Sequence, residues 1–156
     1  MDDNTLLALC VWDEAAGEPH EGKVAIAKVV QNRMALRYES DGTIQGTVLA
    51  PLQFSGFYFS MFNGKYVRDC WTQAEALAKA ARMLTEAVGQ SIWPDCQLAV
   101  QEASAGFSGG PEWQKLAAQP KTVLYANLAI SDPAWATPAN RVCQIGHHTF
   151  FMDPAA

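Results

Sequence analysis

The chain has no basic stripe. Eleven lysines and arginines are scattered singly among sixteen acidic residues, giving a formal charge of -5 over 156 residues. Nothing in that distribution is suited to neutralising a phosphate backbone, which argues against nucleic acid as a partner. No run approaches the ~20 apolar residues needed to span a bilayer, so no integral membrane segment is expected. The start, Met1-Asp2-Asp3-Asn4, is acidic where a secretory leader opens with positive charge, which predicts synthesis in the cytoplasm. There is no CxxC pair among Cys10, Cys70, Cys96 and Cys143. Free, buried thiols are the expectation, with disulfides formed after export as the alternative. Neither HExxH nor comparable metal spacing occurs, and His147 and His148, adjacent in a strand, would point to opposite faces. No metal or other cofactor is expected. A nucleophilic serine is equally unsupported, because the chain has no GxSxG elbow. Repeats, low-complexity tracts and linkers are missing too, leaving one domain over residues 1–156.

What is present is apolar and mostly helical. Hydrophobic residues make up 49% of the chain and charged ones 17%, enough for a packed core. Asp3 or Asn4 is placed to cap a helix from Thr5 to Ala16, apolar on nearly every side and therefore deep in the fold. Gly17 and Pro19 end it. A second helix is predicted from Glu21 or Gly22 through Arg37. Its Arg33 projects from the apolar side, to be met by an acidic neighbour or to snorkel at the helix edge. Thr43 to Ala50 forms two helical turns. The aromatic run Leu52 to Phe59 either lines the core or walls a cleft, and Asn63-Gly64 is a turn. Helices are expected at Asp69 to Val88 and Asp95 to Ala105, followed by a flexible loop at Gly106 to Gly110. The last third, with Thr122-Val123-Leu124-Tyr125 and Val142 to Phe151, is rich in β-formers and predicts a two- or three-stranded element on a helical body.

Chemistry concentrates at the junction of the first two helices. Asp13, Glu14, Glu18 and Glu21 fall within nine positions. Glu14 shares its helical arc with Leu7, Cys10 and Val11, and it sits in the last turn, where helix dipole and burial both disfavour a negative charge. A raised pKa suits a general acid. Asp13 points away, and Glu18 and Glu21, in the turn, are expected to be solvated. Pattern alone leaves open the plainer alternative, an ordinary acidic helix end.

The run Leu7-Ala8-Leu9-Cys10-Val11-Trp12-Asp13-Glu14-Ala15-Ala16-Gly17-Glu18-Pro19-His20-Glu21-Gly22 to Ala27, followed by Val29-Val30-Gln31-Asn32-Arg33, resembles the signature of the spore cortex-lytic enzyme and cell-wall hydrolase family. Later pieces agree in order: Gln53-Phe54-Ser55, Leu124-Tyr125-Ala126-Asn127, Pro133-Ala134-Trp135-Ala136 and Ile145 to Phe151. The resemblance implies an α+β, mainly helical, lysozyme-like fold with a small β element. It also implies cleavage of bacterial peptidoglycan between N-acetylmuramic acid and N-acetylglucosamine, with Glu14 as the catalytic residue. Asp13 stands where the family has Gly and Ala16 where it has Arg, altering charge beside Glu14 and removing a possible ion-pair partner. The implied reaction is lytic transglycosylation leaving 1,6-anhydromuramic acid. A muramidase-type hydrolase using Glu18 or Glu21 as second carboxylate is one alternative. A non-catalytic glycan-binding or virion structural protein is the other. Gln53, Ser55, Tyr125 and Asn127 are the expected substrate-binding groups. The compact form resembles a phage endolysin, a monomer made in the host cytoplasm and acting on the wall from the periplasm after membrane permeabilisation.

Overall fold

A computed structural model describes the whole chain, residues 1–156. Helix α1 (Asp3–Ala15) is its centre. Leu6 to Val11 are all buried without interruption, and a helix with no polar face at this stretch has to be covered on every side. The covering helices are α2 (His20–Leu36), α3 (Ile44–Val48), α4 (Gln73–Ala87) and α5 (Trp93–Ala105). The cap of α1 is Asp2, upstream of the expected Asp3 or Asn4: its carboxylate accepts from the Thr5 backbone N–H and hydroxyl, both at 2.9 Å. Pro19 precedes α2, and Arg37, in the left-handed region at φ 53°, closes it.

Arg33 is buried, and no carboxylate pairs with it, contrary to the expectation of an acidic neighbour. Its Nε donates to the Val123 carbonyl at 2.7 Å and its Nη1 to Gln53 Oε1 at 3.2 Å. The guanidinium also lies over the rings of Phe54 and Tyr38, 5.2 and 5.9 Å from their centroids. Carbonyl dipoles and aromatic faces thus stand in for a counter-ion. One residue earlier, Asn32 Nδ2 donates to the Thr122 carbonyl at 3.0 Å. These side chains fasten α2 to the strand β3 (Thr122–Ala126). The aromatic run divides between the two readings. Phe54, Phe57 and Tyr58 are wholly buried core, while Gly56 and Phe59 border a groove.

Strands β1 (Phe59–Phe62) and β2 (Lys65–Arg68) form an antiparallel hairpin around Asn63 and Gly64, both at positive φ, as a two-residue hairpin turn requires. The sequence predicts only the turn, because these strands are short and largely exposed and so lack an alternating pattern. Lys79 on α4 anchors the hairpin by donating to the Phe59 carbonyl at 2.7 Å and to Asp69 Oδ1 at 2.9 Å. Helix α4 begins at Gln73, later than the predicted Asp69. Thr72 accepts from the Glu75 N–H, and Glu75 accepts from the Trp71 N–H in return. Beyond α5, Gly106 and Gly110 bracket a connection into a short helix α6 (Pro111–Ala117) that the sequence reading did not anticipate. The chain ends in a three-stranded antiparallel sheet of order β3-β5-β4, with β4 (Arg141–Ile145) and β5 (His148–Met152) joined at Gly146-His147. All four cysteines are free and buried. No helix is long and apolar enough to cross a membrane.

Because Thr122 is buried, Asn32→Ala leaves its carbonyl without a donor. The expected destabilisation is about 1–3 kcal/mol, measured as a lowered midpoint in urea unfolding.

Candidate active site

Glu14 lies in the final turn of α1, half-buried, one turn beyond the fully buried Cys10. Its pKa is raised to about 7. Burial is the largest cause, followed by the neighbouring Asp13 charge. The nearby Tyr125 hydroxyl and the Arg33 guanidinium pull the other way. The result is a carboxyl group divided between its acid and base forms near neutrality. Asp13 is exposed as a residue, yet its carboxyl group turns in against Gly56 so closely that no side chain fits there. Burial raises its pKa as well, while Lys79 opposes the rise.

Tyr125 comes from β3, where it pairs with Phe150 across the sheet. It is held edge-on by His148, whose ring lies 5.2 Å away at 70°. Burial lowers the His148 pKa, leaving a neutral imidazole. Glu18 lies close by, its Oε1 3.3 Å from His148 Nδ1, which is buried without a hydrogen-bond partner. The Glu18 carboxylate also accepts from the His147 backbone N–H at 3.2 Å and lies 3.1 Å from His147 Nδ1. Both histidines therefore face one carboxylate. His147 belongs to the turn and only His148 to the strand, so the expected division onto opposite faces does not arise. Gly146, at φ 60°, leaves no room for a side chain beside Glu18.

Two carboxylates are thus placed differently from expectation. Glu18 is buried and closes the β4–β5 turn, and Glu21 is partly buried, with its Oε1 accepting from the Gly110 N–H at 3.0 Å at the start of α6. Each accepts from a backbone N–H that needs a partner, which removes Glu18 from solvent and leaves Glu21 partly exposed. Of the other expected groups, Gln53 is engaged by Arg33. Ser55 is exposed at the start of a 3-10 turn. Asn127 accepts from the Ala129 N–H at 3.1 Å through its Oδ1. The structure brings Tyr125 directly to Glu14, and Gln53 into the same surroundings through Arg33. His148 and Arg33 are the members of this constellation that sequence reasoning did not name as site residues. The apolar-face position of Arg33 was the available signal for it.

The sign of the linkage follows from the raised pKa. An unfolded Glu14 releases its proton near 4.5 and the folded one near 7, so between these values the native state binds more protons and stability falls as pH rises. Glu14→Gln is expected to remove that slope and to stabilise the protein at pH 8 by on the order of 2–3 kcal/mol. Thermal melts of both proteins from pH 4 to pH 9 provide the measurement.

Comparison with known proteins agrees with this architecture. The catalytic domain of the germination-specific lytic transglycosylase SleB from Bacillus anthracis is similar with a TM-score of 0.60 and 21% identity, over 96% of this chain and 93% of that one. The catalytic domain of Bacillus cereus SleB gives 0.59 and 24%, over 96% and 88%. The fold is the lysozyme-like, mainly helical arrangement that the resemblance implied. Among curated proteins, the spore cortex-lytic enzymes of Oceanobacillus iheyensis and Bacillus subtilis are 41% and 43% identical over 55 and 54 residues, 35% of this chain in each case. The aligned parts are 20% and 17% of those proteins, so the chain matches about a fifth of their length. The Cell Wall Hydrolase family matches residues 17–151, starting just after Glu14 and taking in Glu18, Arg33, Tyr125 and His148. The chain belongs to the Cell Wall Hydrolase family.

Proposed function

We propose that this protein cleaves the glycan strand of bacterial peptidoglycan between N-acetylmuramic acid and N-acetylglucosamine, as a lytic transglycosylase with Glu14 as its single acid and base. The observation that carries this reading is the Glu14 carboxyl, half-buried at a helix end with a pKa near 7 and a tyrosine hydroxyl nearby. Protonated Glu14 gives its proton to the glycosidic oxygen as the bond from the muramic acid C1 to that oxygen breaks. The resulting carboxylate accepts the proton of the muramic acid C6 hydroxyl, whose oxygen forms the new bond to C1. Glu14 ends protonated, a 1,6-anhydro ring closes the chain, and no water is consumed. The nearby Tyr125 hydroxyl favours the carboxylate form between the two steps.

A second carboxylate is unnecessary for this reaction, whereas a hydrolase needs one for a nucleophile or a water. Glu18 and Glu21, the nearby alternatives, are occupied by the His147 and Gly110 backbones. Membership of the Cell Wall Hydrolase family and the naming of the SleB neighbour as a lytic transglycosylase support the same choice. The phage-lysis setting rests on the resemblance of the sequence. Co-expression with a membrane-permeabilising protein tests it, lysis being expected with wild type and absent with Glu14→Gln.

Digestion of purified sacculi followed by mass spectrometry tests the reaction. Wild type is expected to release anhydro-muropeptides, and Glu14→Gln to be slower by about a hundredfold or more, the usual scale of general acid–base catalysis. Reducing ends would establish hydrolysis instead, undiminished activity of Glu14→Gln would remove Glu14 from the chemistry, and inactivity of both would favour a binding protein. Since the first step needs protonated Glu14, kcat/KM is expected to decline above pH 7. A pH–rate profile in which Tyr125→Phe moves that limb upward would report the loss of the nearby hydroxyl.

A further inference from the structure

The β1–β2 hairpin leaves Met61, Phe62, Tyr66 and Val67 exposed, Phe62 and Tyr66 at 68% each, with Trp71 just beyond it at 60%. The strand register shows how they are distributed. Met61 pairs with Tyr66 and Phe59 with Arg68, so these side chains share one face, while Phe62 with Lys65 and Ser60 with Val67 make up the other. Each face of the ribbon therefore carries two exposed apolar residues and one cation. A ligand in a groove covers one face of a ribbon. Both faces are covered together when the tip is immersed in an apolar medium.

The ribbon is polar and fixed at its base and apolar at its tip. Lys79 holds the base through the Phe59 carbonyl and Asp69, and the Ser60 hydroxyl donates to Asp69 as well. The Asp69 N–H donates to the Tyr58 carbonyl at 2.9 Å, which ties the end of the hairpin to the buried core. The turn at Asn63-Gly64 stands clear of the body, with nothing within 4 Å of where a side chain on Gly64 would lie.

Charge identifies the medium. From Phe59 to Arg68 the chain carries Lys65 and Arg68 and no acidic residue, in a protein of net charge -5. The first carboxylate after the hairpin, Asp69, is paired with Lys79 at 2.9 Å. Glu75 is turned to the start of α4, where it accepts from the Trp71 N–H and the Thr72 hydroxyl. The Arg68 guanidinium lies over the Trp71 ring, 5.6 Å from its centroid. Aromatic rings beside lysine and arginine suit the zone where hydrocarbon meets charged headgroups, the rings lying at the boundary and the cations reaching outward to phosphate. We propose that the β1–β2 hairpin docks on an anionic lipid surface, with Met61, Phe62 and Tyr66 entering the acyl boundary and Lys65 and Arg68 meeting the lipid phosphates. Attachment of this kind is superficial and reversible, resting on a few side chains and not on a spanning helix. It does not depend on the reaction at Glu14.

Co-sedimentation with vesicles of equal parts phosphatidylglycerol and phosphatidylcholine tests the docking, with the exposed Trp71 as an internal reporter. The protein is expected to bind these vesicles with a blue shift of its tryptophan emission, and to bind vesicles of phosphatidylcholine alone about tenfold or more weakly. Phe62→Ser is expected to weaken binding about tenfold, the scale of one aromatic side chain leaving an apolar phase. Lys65→Gln is expected to weaken it about fivefold, the scale of one basic residue at an anionic surface. Leu98→Ser, at an exposed apolar position on α5, is expected to bind as the parent does. All three positions are exposed, so the fold is not at stake in any of them. No vesicle binding by the parent, equal binding to neutral vesicles, unchanged binding by Phe62→Ser or an equal loss in Leu98→Ser overturns the proposal. A lipid-free dimer, or retention on lipid-free sacculi, that Phe62→Ser abolishes while vesicle binding stays intact would assign the hairpin to a second copy or to the wall, and also overturn it.

Discussion

A carboxyl group held where its charge is poorly tolerated is the constraint around which this molecule is arranged. Helix α1 has no polar face over Leu6 to Val11, so its end is carried into the interior together with the rest of it. Burial and the neighbouring Asp13 charge both push the Glu14 pKa up. Arg33 and the Tyr125 hydroxyl lower the penalty enough to bring it back toward neutrality. Neither of these groups is free to drift. Arg33 is held by a strand carbonyl, and Tyr125 rests edge-on against His148, beside the β4–β5 turn that Glu18 closes. The Glu14 carboxyl is therefore tuned by a sheet distant from it in sequence, and the closure of that sheet against α2 bears on its pKa.

Glu18 illustrates how sequence proximity misleads. It lies four positions from Glu14, yet its carboxylate binds a turn some 130 residues away in the chain, at His147. Glu21 likewise serves Gly110. What looked like one acidic cluster is one acid plus two structural acceptors, each completing backbone that would otherwise be unsatisfied. Asp13, placed where the resembling family has Gly, adds a like charge that raises the Glu14 pKa further, and Gly56 makes room for it.

Much of the helical frame was legible because its signals are local. Capping residues, the alanine-rich α4 and the unbroken apolar run of α1 each act within a few turns. Glu14 stood out for the same reason, since a carboxylate on an apolar arc is visible in the periodicity. The β1–β2 hairpin was not, because its residues are chosen for a mostly exposed ribbon and not for a buried face. Nor was the environment of Arg33: a guanidinium inside a protein announces that it needs partners, but carbonyls and ring faces leave no charge pattern in the sequence. Helix α6 hid behind Gly109-Gly110-Pro111, which reads as loop until one recognises proline at the first helical position.

The all-round apolar character of α1 also bears on the order in which the chain is assembled. This helix precedes its coverings in the chain, and α5, one of the main ones, begins only at Trp93. Until synthesis has passed α5, the most water-averse segment has no finished cavity to enter. Contacts between α1 and α5 close a long loop and belong late in folding. Growing chains therefore pass through a stage at which an uncovered hydrophobic helix is their dominant surface, a state suited to capture by chaperones and prone to self-association.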